Sequence, residues 1–126
     1  MNVVDSSGWI EFLTDSPNAR WFSEPIKATD QLIVPSIVCY EVYRHALGTR
    51  GADAAQIAAG AMSNGMFVEL DREIATTAAE VGLQRKFAAA DSIVLATATL
   101  CGATLWTQDV DFRGLAGVKY RPKTNA

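Results

Sequence analysis

Between Ala88 and Phe112 the chain reads AAADSIVLATATLCGATLWTQDVDF, with three carboxylates, Asp91, Asp109 and Asp111, and no Lys, Arg or His among them. The first half, Ala88 to Leu100, is apolar nearly all round, the pattern of a helix buried between layers rather than one lying on a surface. The nearest cations in sequence, Lys86 and Arg113, lie outside the stretch. A carboxylate beside apolar surface is costly unless it is protonated, paired with a cation or bound to a metal. The fold must therefore bury this helix and also bring compensation to its acids.

The rest of the chain supplies the layers. Asn2 to Val4 reads as a strand, and Asp5-Ser6-Ser7-Gly8 is turn and cap chemistry that starts a helix through Trp9, Phe12 and Leu13. Ser16-Pro17-Asn18 breaks it, and a second short helix runs from Ala19 to Lys27. Leu32-Ile33-Val34 is a second strand, and Pro35-Ser36 opens a helix from Ile37 to about Leu47, for which Gly48 is the expected stop. A helix from Ala52 to Ser63, a strand from Met66 to Leu70 and a helix capped by Asp71 and ending near Arg85 follow. After the Ala88 helix, which Gly102 ends, come a strand at Thr104 to Trp106 and a weaker one within Leu115 to Tyr120. Strands alternating with helices predict a three-layer α/β/α fold on a mostly parallel sheet of four or five strands. No internal repeat or linker divides it, and a single domain over 1–126 is expected.

Composition narrows the classes. With 49% apolar and 20% charged residues the chain has a globular balance. Its apolar runs are too short for a membrane span and its start lacks signal-peptide character, so the cytoplasm is the expected address. Cys39 and Cys101 lack metal-motif spacing and read as buried free thiols. A net charge of -3 argues against a basic coat for nucleic acid, although divalent ions bound at an acidic site would offset most of it.

In a parallel sheet the crossover helices return antiparallel to the strands, so helix N-termini and strand C-termini share one edge, where ligands bind. Asp5 follows the first strand, Glu41 lies within about two turns of the start of the helix after the second, Asp91 is in the first turn of its helix, and Asp109 follows the next strand. With strand order 3-2-1-4-5, these four acids ring the crevice between the first and fourth strands. Taken singly, each has a plainer reading: Asp5 as a cap, Asp91 as a favourable charge at a helix N-terminus, Asp109 and Asp111 as turn residues. Glu41 faces inward with Ile37 and Val38, and Arg44 or His45 offers it an ion pair.

Together VVDSSGWIEFL, PSIVCYEVYRHAL, ADSIVLATATLCGATLWTQDVDF and the late Gly117-Val118 resemble the PIN-domain family, in particular its VapC-type toxin ribonucleases, over nearly the whole chain. The resemblance implies a divalent-metal-dependent endoribonuclease whose four acids fall on Asp5, Glu41, Asp91 and Asp109, serving as both catalytic and metal-binding residues. Ser7 and Thr107 fall on supporting polar positions, with Asp111 as an additional acid. Mg2+ or Mn2+ suits such oxygen donors, one or two ions orienting and activating water and neutralising phosphate. The implied partners are an RNA substrate, a small cognate antitoxin that covers the site, and a second copy of the chain in a homodimer. Such an antitoxin would bring an Arg or Lys to the acids and lay apolar side chains on Trp9, Phe12 or the Ile37 to Tyr43 helix.

His45 is the only histidine, which excludes a His-based acid and base pair and disfavours zinc. Arg113, Lys119, Arg121 and Lys123 read either as phosphate contacts or as a solvated basic tail. Trp9, Phe12, Trp21 and Phe22 read as base-stacking groups or as core. Rival functions are a metal-dependent phosphatase, which wants a second acid beside the first or a late catalytic Lys, and a PIN-fold interaction module that binds without cutting. No G-x-G-x-x-G follows a strand, which disfavours a dinucleotide-cofactor domain.

Overall fold

The computed structural model describes residues 1–124; positions 125 and 126 of the expected domain lie outside the described residues. The chain runs β1 (Asn2–Val4), α1 (Ser6–Leu13), α2 (Ala19–Lys27), β2 (Leu32–Pro35), α3 (Ser36–Arg50), α4 (Ala52–Met62), β3 (Met66–Val68), α5 (Arg72–Arg85), α6 (Ala89–Leu100), β4 (Thr104–Thr107) and β5 (Val118–Tyr120). Single 3-10 turns at Thr29–Gln31 and Val110–Phe112 complete it.

All five strands are parallel, in the order β3-β2-β1-β4-β5. Their sequences explain the arrangement. Val3, Val4, Leu32, Ile33, Val34 and Leu105 are almost wholly buried, as expected of strands covered by helices on both faces. Right-handed crossovers place α1 to α4 on one face and α5 and α6 on the other. Within these layers α1 packs on α2 and α3, α3 on α4, and α5 on α6. The core between them includes Trp9, Phe22, Val38, Val94 and Phe112.

Gly8 marks the closest approach. A Cβ there would stand 2.5 Å from the Phe22 ring and 2.7 Å from Val4, so a glycine is what lets α1 settle between α2 and β1.

Three expectations need correction. The α3 helix passes through Gly48, which meets nothing within 4 Å, and stops only at Gly51, whose φ of 94° an L side chain rarely adopts. The third strand ends at Val68, and its Met66 and Phe67 are exposed because β3 is an edge strand. Cys39 and Cys101 are free but only half-buried. Among the described residues no helix is long and apolar enough to cross a membrane.

Candidate functional site

Pairing β1 with β4 sets Val4 beside Trp106, so Asp5 and Thr107 leave the sheet together at its carboxyl edge. Asp5 is the N-cap of α1 and is only 5% exposed. Its Oδ1 accepts the Gly8 N–H and the Ser7 hydroxyl, both at 2.9 Å, and its Oδ2 accepts the Thr107 hydroxyl at 2.5 Å. Burial nevertheless lifts its pKa from the ordinary 3.8 to about 6; those three hydrogen bonds oppose the rise and the Asp109 charge adds to it. The cap reading and the site reading of Asp5 are compatible, since the donors leave a lone pair on Oδ2. Thr107 Oγ1 also accepts the Asp109 N–H at 2.9 Å, so one hydroxyl sets the positions of two acids.

Asp109 in turn caps the Val110–Phe112 turn, its Oδ1 accepting the Asp111 N–H at 2.9 Å. Phe112 anchors that turn in the core, edge-on to Phe87 with ring centroids 5.4 Å apart. The turn thereby returns Asp111 to the side where Asp91 stands in the first turn of α6. Asp91, Asp109 and Asp111 each offer one carboxylate oxygen, and these atoms lie within 4.8 Å of one another.

The pKa of half-buried Asp91 rises from 3.8 to about 6, first through burial and then through Asp109, Asp5, Glu41 and Asp111. Every acid read from the sequence thus acts on Asp91. Glu41, on α3, contributes through this field and is not one of the three clustered carboxylates. The ion pair considered for it does not form: among the described residues Arg44 donates instead to the Tyr40 hydroxyl, at 2.8 Å, and His45 is exposed.

The donor set is hard oxygen throughout, close-set and, among the described residues, without a paired cation. It fits a divalent cation such as Mg2+ or Mn2+ rather than zinc. Asp91, Asp109 and Asp111 would hold the ion, and Asp5 and Glu41 add their charge to the field at Asp91.

Other residues singled out in the sequence are already engaged. Trp9 and Phe22 are fully buried, and Trp21 packs on Trp106 with centroids 4.9 Å apart, so these rings fill the core instead of stacking bases. The burial of Trp9 also removes it from any docking surface. Lys119 Nζ lies 4.5 Å over the Trp106 ring, and Arg121 Nε donates to Asn18 Oδ1 at 3.1 Å, which leaves Arg113 and Lys123 as the two of the four cations without a partner among the described residues. Sequence reasoning passed over Glu11, Asn18 and Gln108, which are buried together behind the site. One signal was available: Glu11 follows Gly8 by three positions and so shares its inward face.

The PIN domain family model matches residues 3–118. No curated protein matches significantly. Among solved structures, a toxin-antitoxin complex from Klebsiella pneumoniae is similar at 24% identity and TM-score 0.82, over 94% of this chain and 96% of that one. Mycobacterium tuberculosis VapC20, described as a sarcin-ricin loop cleaving toxin, is similar at 17% identity and TM-score 0.77, over 94% and 99%. VapBC2 from Rickettsia felis, bound to a DNA fragment from its promoter, is similar at 13% identity and TM-score 0.73, over 96% and 97%.

Proposed function

Since the chain belongs to the PIN-domain family, we propose that it is a single-domain, divalent-metal-dependent endoribonuclease and the toxin of a toxin-antitoxin pair. The observation that carries this reading is the meeting of Asp91, Asp109 and Asp111 at the sheet edge, with Asp5 and Glu41 adding to the field and no cation in the cluster.

The acids set the chemistry the site can do. Unaided, they repel an RNA phosphate, so substrate approaches only once their charge is offset. A bound Mg2+ or Mn2+ supplies that neutralisation and lowers the pKa of water. The chain's own part is to hold the carboxylates in place: Thr107 and Ser7 fix Asp5, Thr107 fixes the Asp109 backbone, and Phe112 anchors the turn that carries Asp111. Attack by water on phosphorus, with the P–O3′ bond breaking and the 3′ oxygen taking up a proton, leaves 5′-phosphate and 3′-hydroxyl ends. Arg113 and Lys123 are available for flanking phosphates.

The similarity to toxin-antitoxin complexes supports a small inhibitory partner. On α3, an apolar groove of about 670 Å³ is lined by Tyr40, Tyr43, Leu47, Met62 and Phe67 among others. It shares Tyr40 and Arg44 with the depression that contains Glu41, so one extended segment can fill the groove and reach Glu41. On this reading the α3 groove, and not the buried Trp9, takes the partner's apolar side chains. In a homodimer each copy would take one such segment.

The test is cleavage of a single-stranded or loop RNA by purified protein. Cutting with Mg2+ or Mn2+ that leaves 5′-phosphate ends is expected. Cutting that persists in excess EDTA, in a preparation free of contaminating nuclease, overturns the reading.

A further inference from the structure

Behind the acids lies a buried polar chain that the nuclease reading does not use. Arg121 Nε donates to Asn18 Oδ1 at 3.1 Å, Asn18 Nδ2 donates to Gln108 Oε1 at 3.0 Å, and Gln108 Nε2 donates to Glu11 Oε1 at 3.2 Å. The other Glu11 oxygen accepts the Asn18 backbone N–H at 2.9 Å. Glu11, Asn18 and Gln108 are 4%, 2% and 6% exposed. Every link runs the same way, from the guanidinium to the carboxylate. Glu11 sets that direction, because an ionised carboxylate can only accept.

The chain meets the site at Gln108. Gln108 stands between Thr107, which donates to Asp5 and accepts the Asp109 N–H, and Asp109 itself. Successive side chains leave an extended backbone on opposite sides. Residues 107–109 are therefore pinned from one side by Thr107 on Asp5 and from the other by Gln108 on Glu11 and Asn18. Such pinning has a task, since the acids repel one another and a loose segment would carry Asp109 away from Asp91. We propose that Glu11, Asn18 and Gln108 are positioning residues, which hold Asp109 in its ion-binding place before any ion arrives. The proposal rests on the metal-site reading above.

The test is Mn2+ binding by titration calorimetry to wild type, Glu11→Gln, and the exchanged pair Glu11→Gln with Gln108→Glu. The single change sets an amide donor against either Gln108 Nε2 or the Asn18 N–H, since both Glu11 oxygens accept; the exchange restores a donor facing an acceptor at each link among residues 11, 18 and 108. Outer partners of metal ligands commonly govern affinity by 10- to 100-fold, so Glu11→Gln is expected to bind Mn2+ about tenfold more weakly and the exchange to return to within about threefold of wild type. Ile74→Ala, in the separate cluster of α5 and α6, lowers stability without touching the chain and should keep wild-type affinity. Wild-type affinity in Glu11→Gln, no recovery in the exchange, or an equal loss in Ile74→Ala overturns the positioning role alone. A wild type that binds no Mn2+ removes the metal-site reading and this proposal with it. Should Glu11→Gln not fold, hydrogen exchange of the ion-free wild type decides. The Asp109 amide should exchange at least about tenfold more slowly than exposed loop amides, and exchange at their rate overturns the proposal.

Discussion

Asp91→Asn should stabilise the ion-free protein at neutral pH. Its folded pKa of about 6 lies above the ordinary 3.8, so the native state holds more protons than the unfolded chain between those values. The wild type therefore has its full stability below about pH 4 and loses the Asp91 contribution as pH rises through about 6. An amide carries no charge at any pH and escapes that loss. A rise of about two pH units corresponds to an upper bound of about 3 kcal/mol, and solvent screening of this half-exposed side chain reduces it to roughly 1–1.5 kcal/mol. For 126 residues, at about 2.1 cal/mol/K of unfolding entropy per residue, 1 kcal/mol moves Tm by roughly 4 °C. In EDTA at pH 7.5 the variant should thus melt about 4–6 °C above wild type, and at pH 4 the two should nearly coincide. Added Mn2+ should reverse the order, since an ion at about a hundred times its Kd adds about 2.7 kcal/mol to the wild type alone. Calorimetric melts at pH 4, 6 and 7.5 with and without Mn2+ read all of this. A variant that melts below wild type in EDTA at pH 7.5, or a difference that ignores pH, would show that Asp91 is a structural group and not a member of a repelling cluster.

Gly8→Ala should cost about 1–3 kcal/mol in urea unfolding, because its Cβ would press on the buried Phe22 ring and on Val4; an unchanged midpoint contradicts that packing. Expression of the chain alone should slow growth, Asp5→Ala or Asp91→Ala should relieve it, and so should a small co-encoded protein that binds directly. Harmless expression in the native host lacking that partner would remove the toxin role and leave the nuclease reading standing.

The strands were legible because Val3, Ile33 and Leu105 belong to short apolar runs whose burial on both faces needs only local sequence to foresee. Asp5 and Asp91 were legible for a related reason: each sits at a strand end or helix start, and topology carries such positions to one edge. Gly48 misled because a helical glycine and a terminating glycine look alike in sequence; the backbone at Gly51 tells them apart. The direction of Asp111 depends on a 3-10 turn anchored by Phe112, which no local pattern specifies. The role of Glu11 was hidden for a different reason. Its spacing from Gly8 marks an inward face, but its partner Gln108 is 97 positions away, and nothing local names that partner. The same distance hid the commitment of Arg121 to Asn18 and left the tail looking free.

The most direct measurement is the anomalous map of a crystal soaked in Mn2+. A peak within about 2.5 Å of oxygens from Asp91, Asp109 and Asp111 is predicted, and it should vanish in Asp109→Asn. An empty cluster with Mn2+ bound elsewhere, or these carboxylates engaged by Lys or Arg side chains of the same chain, would contradict the claim that they converge to hold a divalent ion.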